Sequence, residues 1–573
     1  MKRVIIIFSF ICLGYTTFAQ HIPEHISYTK IYDFIDELSN DGVIELTSVV
    51  KPYSRAYIAK KLLEAQEQEE SLTKRQRKEL EFYLSNYALE MNQLPEVMGS
   101  VLEKENVAVT LLQPAVYYRD TLFRAYLAPL LGMQVWAKSG EKVTERWYGV
   151  EFHGMIGKNW AIYGSLRDIS TQGELLSKPG YLNNLPGYEY KESHLEDGGG
   201  DYSDFRGGIT YSNSWASIGL MKDNPVWGDN YHGSNILSGR APSFTMLRLQ
   251  VKPVKWFQLD YFHGWLVSNV IDSTHYSIED AYASGAITRE YGTANKFMAA
   301  NFLTFIPCRN LNISIGNAII YSEPNVQLGY FIPIAFYKSI AHTLTKGTAT
   351  ENGNSAIFLN VSSRNIKHLH LYASAFIDEI KFDRFKSSNP ENNPVSYKIG
   401  GRLSNLPLQD VSLTCEFTRT NIINYKHSVH AATWSSNSYN MGHYLGDNSQ
   451  ELYAAINYKP IRGLDLGIAY TNAKHGNEYQ YTRREVFNAI SQPVLNEITW
   501  SNQTFAFSAQ YEVFKNIYAN LKLQYSDIQG HDLTSKPISS EVRSNAQGYL
   551  NLFTPEFYQG KNFTFEVGLS FGF

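Results

Sequence analysis

The sequence predicts an all-β transmembrane barrel of about 18 antiparallel strands, preceded by a small α-helical bundle, and three observations carry that expectation. The first is residues 563–573. Phe563, Phe565, Val567, Leu569, Phe571 and Phe573 occupy every second position, with Thr564, Glu566, Gly568, Ser570 and Gly572 between them. A period of two belongs to a β-strand, so one face is apolar and the other polar or small. About ten such residues cross a bilayer when tilted, the apolar face against lipid and the other toward a lumen. The second is the charged start Met1-Lys2-Arg3, the apolar run 4–13, and Thr17-Phe18-Ala19 ahead of Gln20. Residues 1–19 therefore read as a secretory signal peptide. The run is too short for a membrane-spanning helix, and Cys12 lacks the small residues that precede a lipoprotein cysteine. The third is the 40 Tyr and 31 Phe, since membrane barrels concentrate aromatic rings in two interfacial girdles.

Composition narrows the function classes. A negative mean hydropathy fits a barrel, whose strands offer only alternate residues to lipid. The net charge is −4 without a basic tract, which argues against nucleic acid as a partner. Only Cys308 and Cys415 follow the signal segment, so one disulfide is possible, and there is no zinc-ligand spacing.

Residues 20–104 form the expected helical unit on the periplasmic side. Ile31, Phe34, Ile35 and Leu38 share one helical face. Lys51-Pro52-Tyr53 breaks the chain, and Ser54 caps a second helix carrying Ile58, Leu62 and Leu63. Thr73 with Gln76 forms a capping box ahead of Leu80, Tyr83, Leu84, Tyr87 and Met91. Sixty-odd residues make a marginal core alone, so the helices are expected to pack on the barrel.

Residues 105–573 are the expected barrel. Tyr148, Val150 and Phe152 alternate with small or polar residues, as do Leu311, Ile313 and Ile315, and Leu464, Leu466, Ile468 and Tyr470. Stretches such as Phe514-Lys515-Asn516 read as tight turns. Residues 183–205, 222–243, 424–448, 472–502 and 527–547 read as long loops. Alternating short turns and long loops, the latter outside the cell, are the pattern of an outer-membrane barrel. The apolar face of residues 563–573 is expected to be read by the barrel-assembly machinery and then to meet outer-membrane lipid.

Several segments carry a family resemblance. They are Ile31-Tyr32-Asp33-Phe34-Ile35-Asp36-Glu37-Leu38, Gly42-Val43-Ile44 and Lys51-Pro52-Tyr53-Ser54-Arg55. Further along come Gly228-Asp229-Asn230-Tyr231-His232-Gly233-Ser234-Asn235-Ile236-Leu237, Ala241-Pro242-Ser243-Phe244-Thr245-Met246-Leu247-Arg248-Leu249, and Leu371-Tyr372-Ala373-Ser374-Ala375-Phe376-Ile377-Asp378-Glu379. In this order they resemble the capsule-assembly family Wzi. The chain also resembles the gliding-motility RemB group. The Wzi resemblance implies an 18-stranded outer-membrane barrel with a periplasmic helical bundle. It also implies a lectin-like role, holding capsular or other exported polysaccharide at the cell surface. This chain has extra loop sequence near residues 425–448 and 479–500.

The candidate sugar contacts are Trp227, Asp229, Asn230, His232 and Arg240, clustered with glycines in residues 222–248. Sugars are held by an aromatic ring against a C–H face and by planar polar groups on neighbouring hydroxyls. The plainer reading of the same stretch is a loop folded into the barrel mouth. Glu196-Asp197-Gly198-Gly199-Gly200-Asp201-Tyr202-Ser203-Asp204 is oxygen-rich but does not match a calcium loop. His368 and His370 are expected on one strand face without a third ligand, so no metal and no cofactor is expected. No nucleophile stands beside a recognisable base, so no enzymatic activity is expected. Glu151, Asp260, Glu416 and Glu566 would line the lumen, either as polar packing or as the wall of a diffusion channel. An accessory of gliding or secretion machinery is the remaining alternative.

Overall fold

The computed structural model describes residues 20–95, 100–110, 114–193, 198–281, 286–344, 353–386, 391–479, 481, 489–533 and 545–573. The signal segment and Glu196-Asp197 lie outside these residues.

Eighteen antiparallel strands close a barrel among the described residues. They are β1 (Phe123–Lys138), β2 (Glu141–Ile156), β3 (Trp160–Gln172), β4 (Gly200–Ser212), β5 (Ala216–Asp223) and β6 (Phe244–Val254). Next come β7 (Phe257–Ala281), β8 (Ala286–Cys308), β9 (Leu311–Tyr321), β10 (Gly353–Ile366), β11 (Leu369–Ile377) and β12 (Val395–Ser404). The last six are β13 (Val411–Thr420), β14 (Ser449–Ile461), β15 (Leu464–Gly476), β16 (Ile498–Phe514), β17 (Ile517–Gly530) and β18 (Gly560–Phe571). Closure pairs β18 with β1, from Phe565 opposite Ala137 to Phe571 opposite Leu131. The remainder of that β1 edge pairs with Ala115–Arg119, the last strand of a short meander.

The two ends of the barrel differ. Tight turns join the strands at one end. At Gly463, φ is +76° and a Cβ would lie 2.4 Å from the Glu512 carbonyl oxygen, so only glycine fits. At the other end, connections 173–199, 224–243, 322–352, 421–448 and 531–559 are long. The strands run further into the expected loops than the sequence suggests. β15 continues to Gly476 and β17 to Gly530 because cross-strand hydrogen bonding carries polar residues beyond the apolar belt.

The alternation places side chains as expected along most of β18. Phe563, Phe565, Val567 and Leu569 are exposed on the outer face, Leu569 at 66%, while Thr564 is buried inside. Two residues depart from the expected lipid face. Phe571 packs partly buried against the cluster that contains Tyr117, Tyr126 and Ala128. Gly572 takes φ +78° and turns the chain inward. Phe573 then stacks on His25 at 3.8 Å, with the guanidinium groups of Arg167 and Arg206 each 4.6 Å from its ring. Cation–π contact inside the lumen holds this ring where alternation alone would send it to lipid.

Three helices sit in the turn end: α1 (Thr29–Asn40), α2 (Arg55–Gln66) and α3 (Lys74–Asn86). Ser54 accepts from the Tyr57 amide at 3.1 Å, and Thr73 with Gln76 forms the full capping box. Ile31, Phe34, Ile35, Leu38, Ile58, Leu62, Leu80 and Tyr83 share a core that includes Tyr518 of β17. The bundle core is thus closed by the barrel wall. Ion pairs fix it there: Arg402 to Asp33 at 2.6 Å, Arg364 to Asp36 at 2.5 Å, Lys459 to Glu37 at 3.0 Å, and Arg75 to Asp410 at 2.7 Å.

Candidate functional site

Loop 224–243 enters the lumen from the loop end. Val226-Trp227 pairs with Leu237-Ser238 on one side and with Val50-Lys51, the link between α1 and α2, on the other. This small sheet joins the helical plug to the loop plug, so the interior is filled from both ends.

The expected sugar contacts come together here, but as fastenings of the plug. Trp227 is 2% exposed and stacks on Phe302 at 5.4 Å, with the edges of Phe262 and Phe358 around it. A ring covered on its faces offers none to a sugar, so its role is packing. Asp229 accepts from Asn360 Nδ2 at 2.9 Å, and its amide donates to Asn360 Oδ1 at 3.1 Å. Burial pushes the Asp229 carboxyl up, partly offset by Arg364 and Asn360. Asn230 donates to the Gly228 carbonyl at 2.9 Å. His232 stacks on Tyr453 at 3.9 Å, and burial pulls its pKa down, partly offset by Glu451 and Glu416. Arg240 donates to the Tyr181 carbonyl at 2.7 Å and lies over Tyr439 at 5.2 Å, tying loops 173–199 and 421–448 together. The plainer reading, a loop folded into the barrel mouth, describes all five. The physical reason is that a loop buried in a lumen must satisfy its polar groups locally.

The expected lumen charges are likewise engaged. Glu416 accepts from Lys398 at 2.9 Å and from the amides of Tyr231 at 2.7 Å and His232 at 3.0 Å. Tyr231 donates to Asp36 at 2.5 Å, which links loop, wall and α1. Burial raises the Asp36 pKa, but Arg364, His370 and Arg402 outweigh it and hold the carboxyl well below the usual range. Glu151 accepts from Tyr28 at 2.9 Å, Asp260 from Gln258 at 2.7 Å, and Glu566 from Gln134. His368 and His370 do not share a strand face. His368 sits in the turn at φ +69° against Asp41, whereas His370 meets Ser362 at 2.9 Å and Tyr231 at 2.8 Å. Cys308 and Cys415 are separate, exposed free thiols. No group of three metal-ligating side chains occurs among the described residues.

A cavity of about 250 Å³ lies elsewhere, along the wall formed by β1–β3 and β16–β18. Leu176, Ser177, Leu185, Pro186 and Tyr188 of loop 173–199 bound it toward the loop end; Ser27, Gln510 and Phe573 bound it toward the turn end. Its sides carry Trp136, Trp147, Gln134, Glu145, Thr171 and Asn520. Gly132 makes room for the Trp147 indole, since a Cβ there would stand 2.1 Å from the ring. Glu145 accepts from Tyr202 at 2.9 Å and Thr171 at 3.2 Å, so the wall is preorganised. Aromatic planes beside amides and a carboxylate are the chemistry that recognises a sugar ring. The sequence signal for these residues was present: Trp136 and Trp147 occupy the inward parity of β1 and β2, where barrels otherwise place polar or small side chains.

Comparison with known proteins agrees with this architecture. Wzi, an outer-membrane protein involved in group 1 capsule assembly in Escherichia coli and a carbohydrate-binding β-barrel, superposes with a TM-score of 0.56 at 10% identity, covering 96% of this chain and 99% of that one. OccK8 (OprE) of Pseudomonas aeruginosa gives 0.40 at 9% identity over 78% of this chain and 97% of its own. OprD of the same organism gives 0.38 at 10% over 78% and 94%. No curated protein sequence matches. The sequence profile of the capsule assembly protein Wzi family matches residues 211–540, more than half of the chain, from the end of β4 through the loop plug to the last long loop. With an eighteen-stranded outer-membrane barrel plugged from both ends and that profile across its centre, the chain belongs to the capsule assembly protein Wzi family.

Proposed function

We propose that this barrel retains an exported polysaccharide at the cell surface by binding it, without catalysis. The observation that carries this reading is the wall cavity, where Trp136, Trp147 and Tyr188 stand beside Gln134, Glu145 and Thr171. Its volume lies just below the about 300–1,000 Å³ of most small-ligand sites, which suits a chain end or side branch more than a run of polymer. In this reading the loop end faces the medium and the helical plug faces the periplasm. The exposed face of β18 serves first as the signal for barrel assembly and then as lipid contact. The described lumen, filled by two interlocked plugs, supports retention over free diffusion. The carbohydrate binding of the E. coli Wzi barrel agrees with the same reading.

The test is calorimetric titration of purified protein with short oligosaccharides cut from the surface polysaccharide of the producing cell. Trp147→Ala and Gln134→Ala should each weaken binding roughly tenfold, whereas Trp147→Phe should retain most of it. Short fragments are needed because multivalent contact along a polymer masks a weak single site. Unchanged affinity in both alanine variants would rule out this cavity. Absence of binding by the wild-type protein would rule out the lectin role.

A further inference from the structure

A segment of loop 322–352 is folded over the outside of the barrel. By strand parity Phe262 and Phe302 point inward onto Trp227, so Tyr261, His263, Asn301, Asn317 and Tyr321 point outward. On a bare barrel these polar groups would face lipid. Tyr261, His263, Asn301 and Tyr321 are instead buried, and Asn317 half-buried, beneath residues 327–344. Tyr261 Oη donates to the Tyr330 carbonyl at 3.0 Å. The Ala335 carbonyl accepts from Asn301 Nδ2 at 2.9 Å and Asn317 Nδ2 at 3.1 Å. The Tyr337 amide donates to Asn317 Oδ1 at 2.9 Å, and the Gln327 amide to Tyr321 Oη at 3.2 Å. Polar groups of the wall thus satisfy irregular backbone that hydrocarbon would not tolerate uncovered.

The opposite side of this strap is apolar. Tyr330 and Tyr337 point down onto the wall, while Leu328 (81% exposed), Ile332, Ile334 (69%) and Phe336 point away. Ile380, Phe382 (80%) and Phe385 are exposed beside it, and Phe336, Ile377 and Ile380 line one shared cavity whose charged groups are Lys338, Lys381, Asp378 and Glu379. The patch continues the barrel's own apolar belt. Asn317 and Ile357 form the covered cross-strand pair, and the next outward pairs toward the turn end, Ile315–Leu359 and Ile313–Val361, are exposed. Two residues along a strand is about 7 Å.

We propose that residues 327–344 and 377–385 form an external collar that lies in the membrane, with bilayer lipid as the occupant of its apolar face. Apolar side chains toward acyl chains, with aromatics and lysines at the rim, are the pattern of interfacial anchoring. The collar adds lipid contact at the loop end of the belt and shields five polar wall residues from hydrocarbon.

The test uses the full chain in nanodiscs, with Cys308 and Cys415 replaced by Ser. A single fluorophore-labelled cysteine is placed at Ile334, at Ile315 as the belt control, or at Glu69 as the aqueous control. Doxyl-labelled lipid should quench the label at 334 to within about twofold of that at 315, and aqueous iodide should quench it at least about threefold less than at 69. Iodide quenching at 334 equal to that at 69 would overturn the proposal. Shielding from both quenchers would also overturn it, in favour of a second protein copy on the collar. Neither result bears on sugar binding.

Discussion

At the scale of single residues, neighbouring side chains of one type have opposite duties. Leu569 is on the outer face at 66% exposure, and Leu569→Arg is expected to cost up to about 2–4 kcal/mol, the full amount applying at the bilayer midplane. Ser570→Asn, on the inner face, should cost far less; membrane yield and urea unfolding in detergent compare the two. Trp227→Ala removes a ring stacked on Phe302 and should destabilise the plugged barrel by about 3–5 kcal/mol, read as a lowered midpoint in the same unfolding experiment. Oligosaccharide affinity of the folded fraction should not change, which separates its packing duty from the sugar contact proposed for Trp147. Phe573 teaches the same lesson. It continues an alternation that points to lipid, yet Arg167, Arg206 and His25 hold it inside. Composition and period see the ring but not its partners.

At the scale of elements, the helical bundle is part of the barrel. Its core is completed by Tyr518, and its acidic helix α1 meets Arg364, Arg402 and Lys459 of the wall. Residues 20–92 excised from the chain are therefore expected to lack a cooperative thermal melt by circular dichroism. Arg75 bridges the buried Glu37 of α1, Glu79 of α3 and Asp410 of the β12–β13 turn. Arg75→Ala leaves three carboxylates short of a cation, and loss of one partner from such buried pairs typically costs about 3–5 kcal/mol. Faster limited proteolysis of the bundle would report it. Acid should have the same effect. Burial raises the Glu37 pKa, but Lys459 and Arg75 bring it down to about 2. A carboxylate whose folded pKa is depressed adds stability above its unfolded pKa, about 4.3, and loses it as pH falls toward the folded value. Protease protection of the bundle should decline between those limits, and Glu37→Gln should flatten that part of the profile. The capping residues Ser54 and Thr73 were legible because a cap is a local contact; the salt bridges were not, because their partners lie hundreds of residues away.

At the scale of the whole molecule, two plugs joined by a three-stranded sheet occupy the described lumen from its two ends. Planar-bilayer recordings of the purified protein are expected to show no steady ion conductance, and porin-sized steps would refute the closed interior. The sequence by itself determined the barrel, its strand alternation, the helical unit and its caps, and the family resemblance, since each rests on periodicity or on contacts within a few residues. Only the tertiary structure decided that loop 224–243 turns inward, so that Trp227, Asp229, Asn230, His232 and Arg240 became fastenings. It also decided that Trp136 and Trp147 converge on a cavity with Tyr188, and that residues 327–344 cover the outside of the wall. The reason is common to all three. A loop carries no period that says which side of a wall it lies on, and that choice is made by polar groups of distant strands that must be satisfied where water is absent.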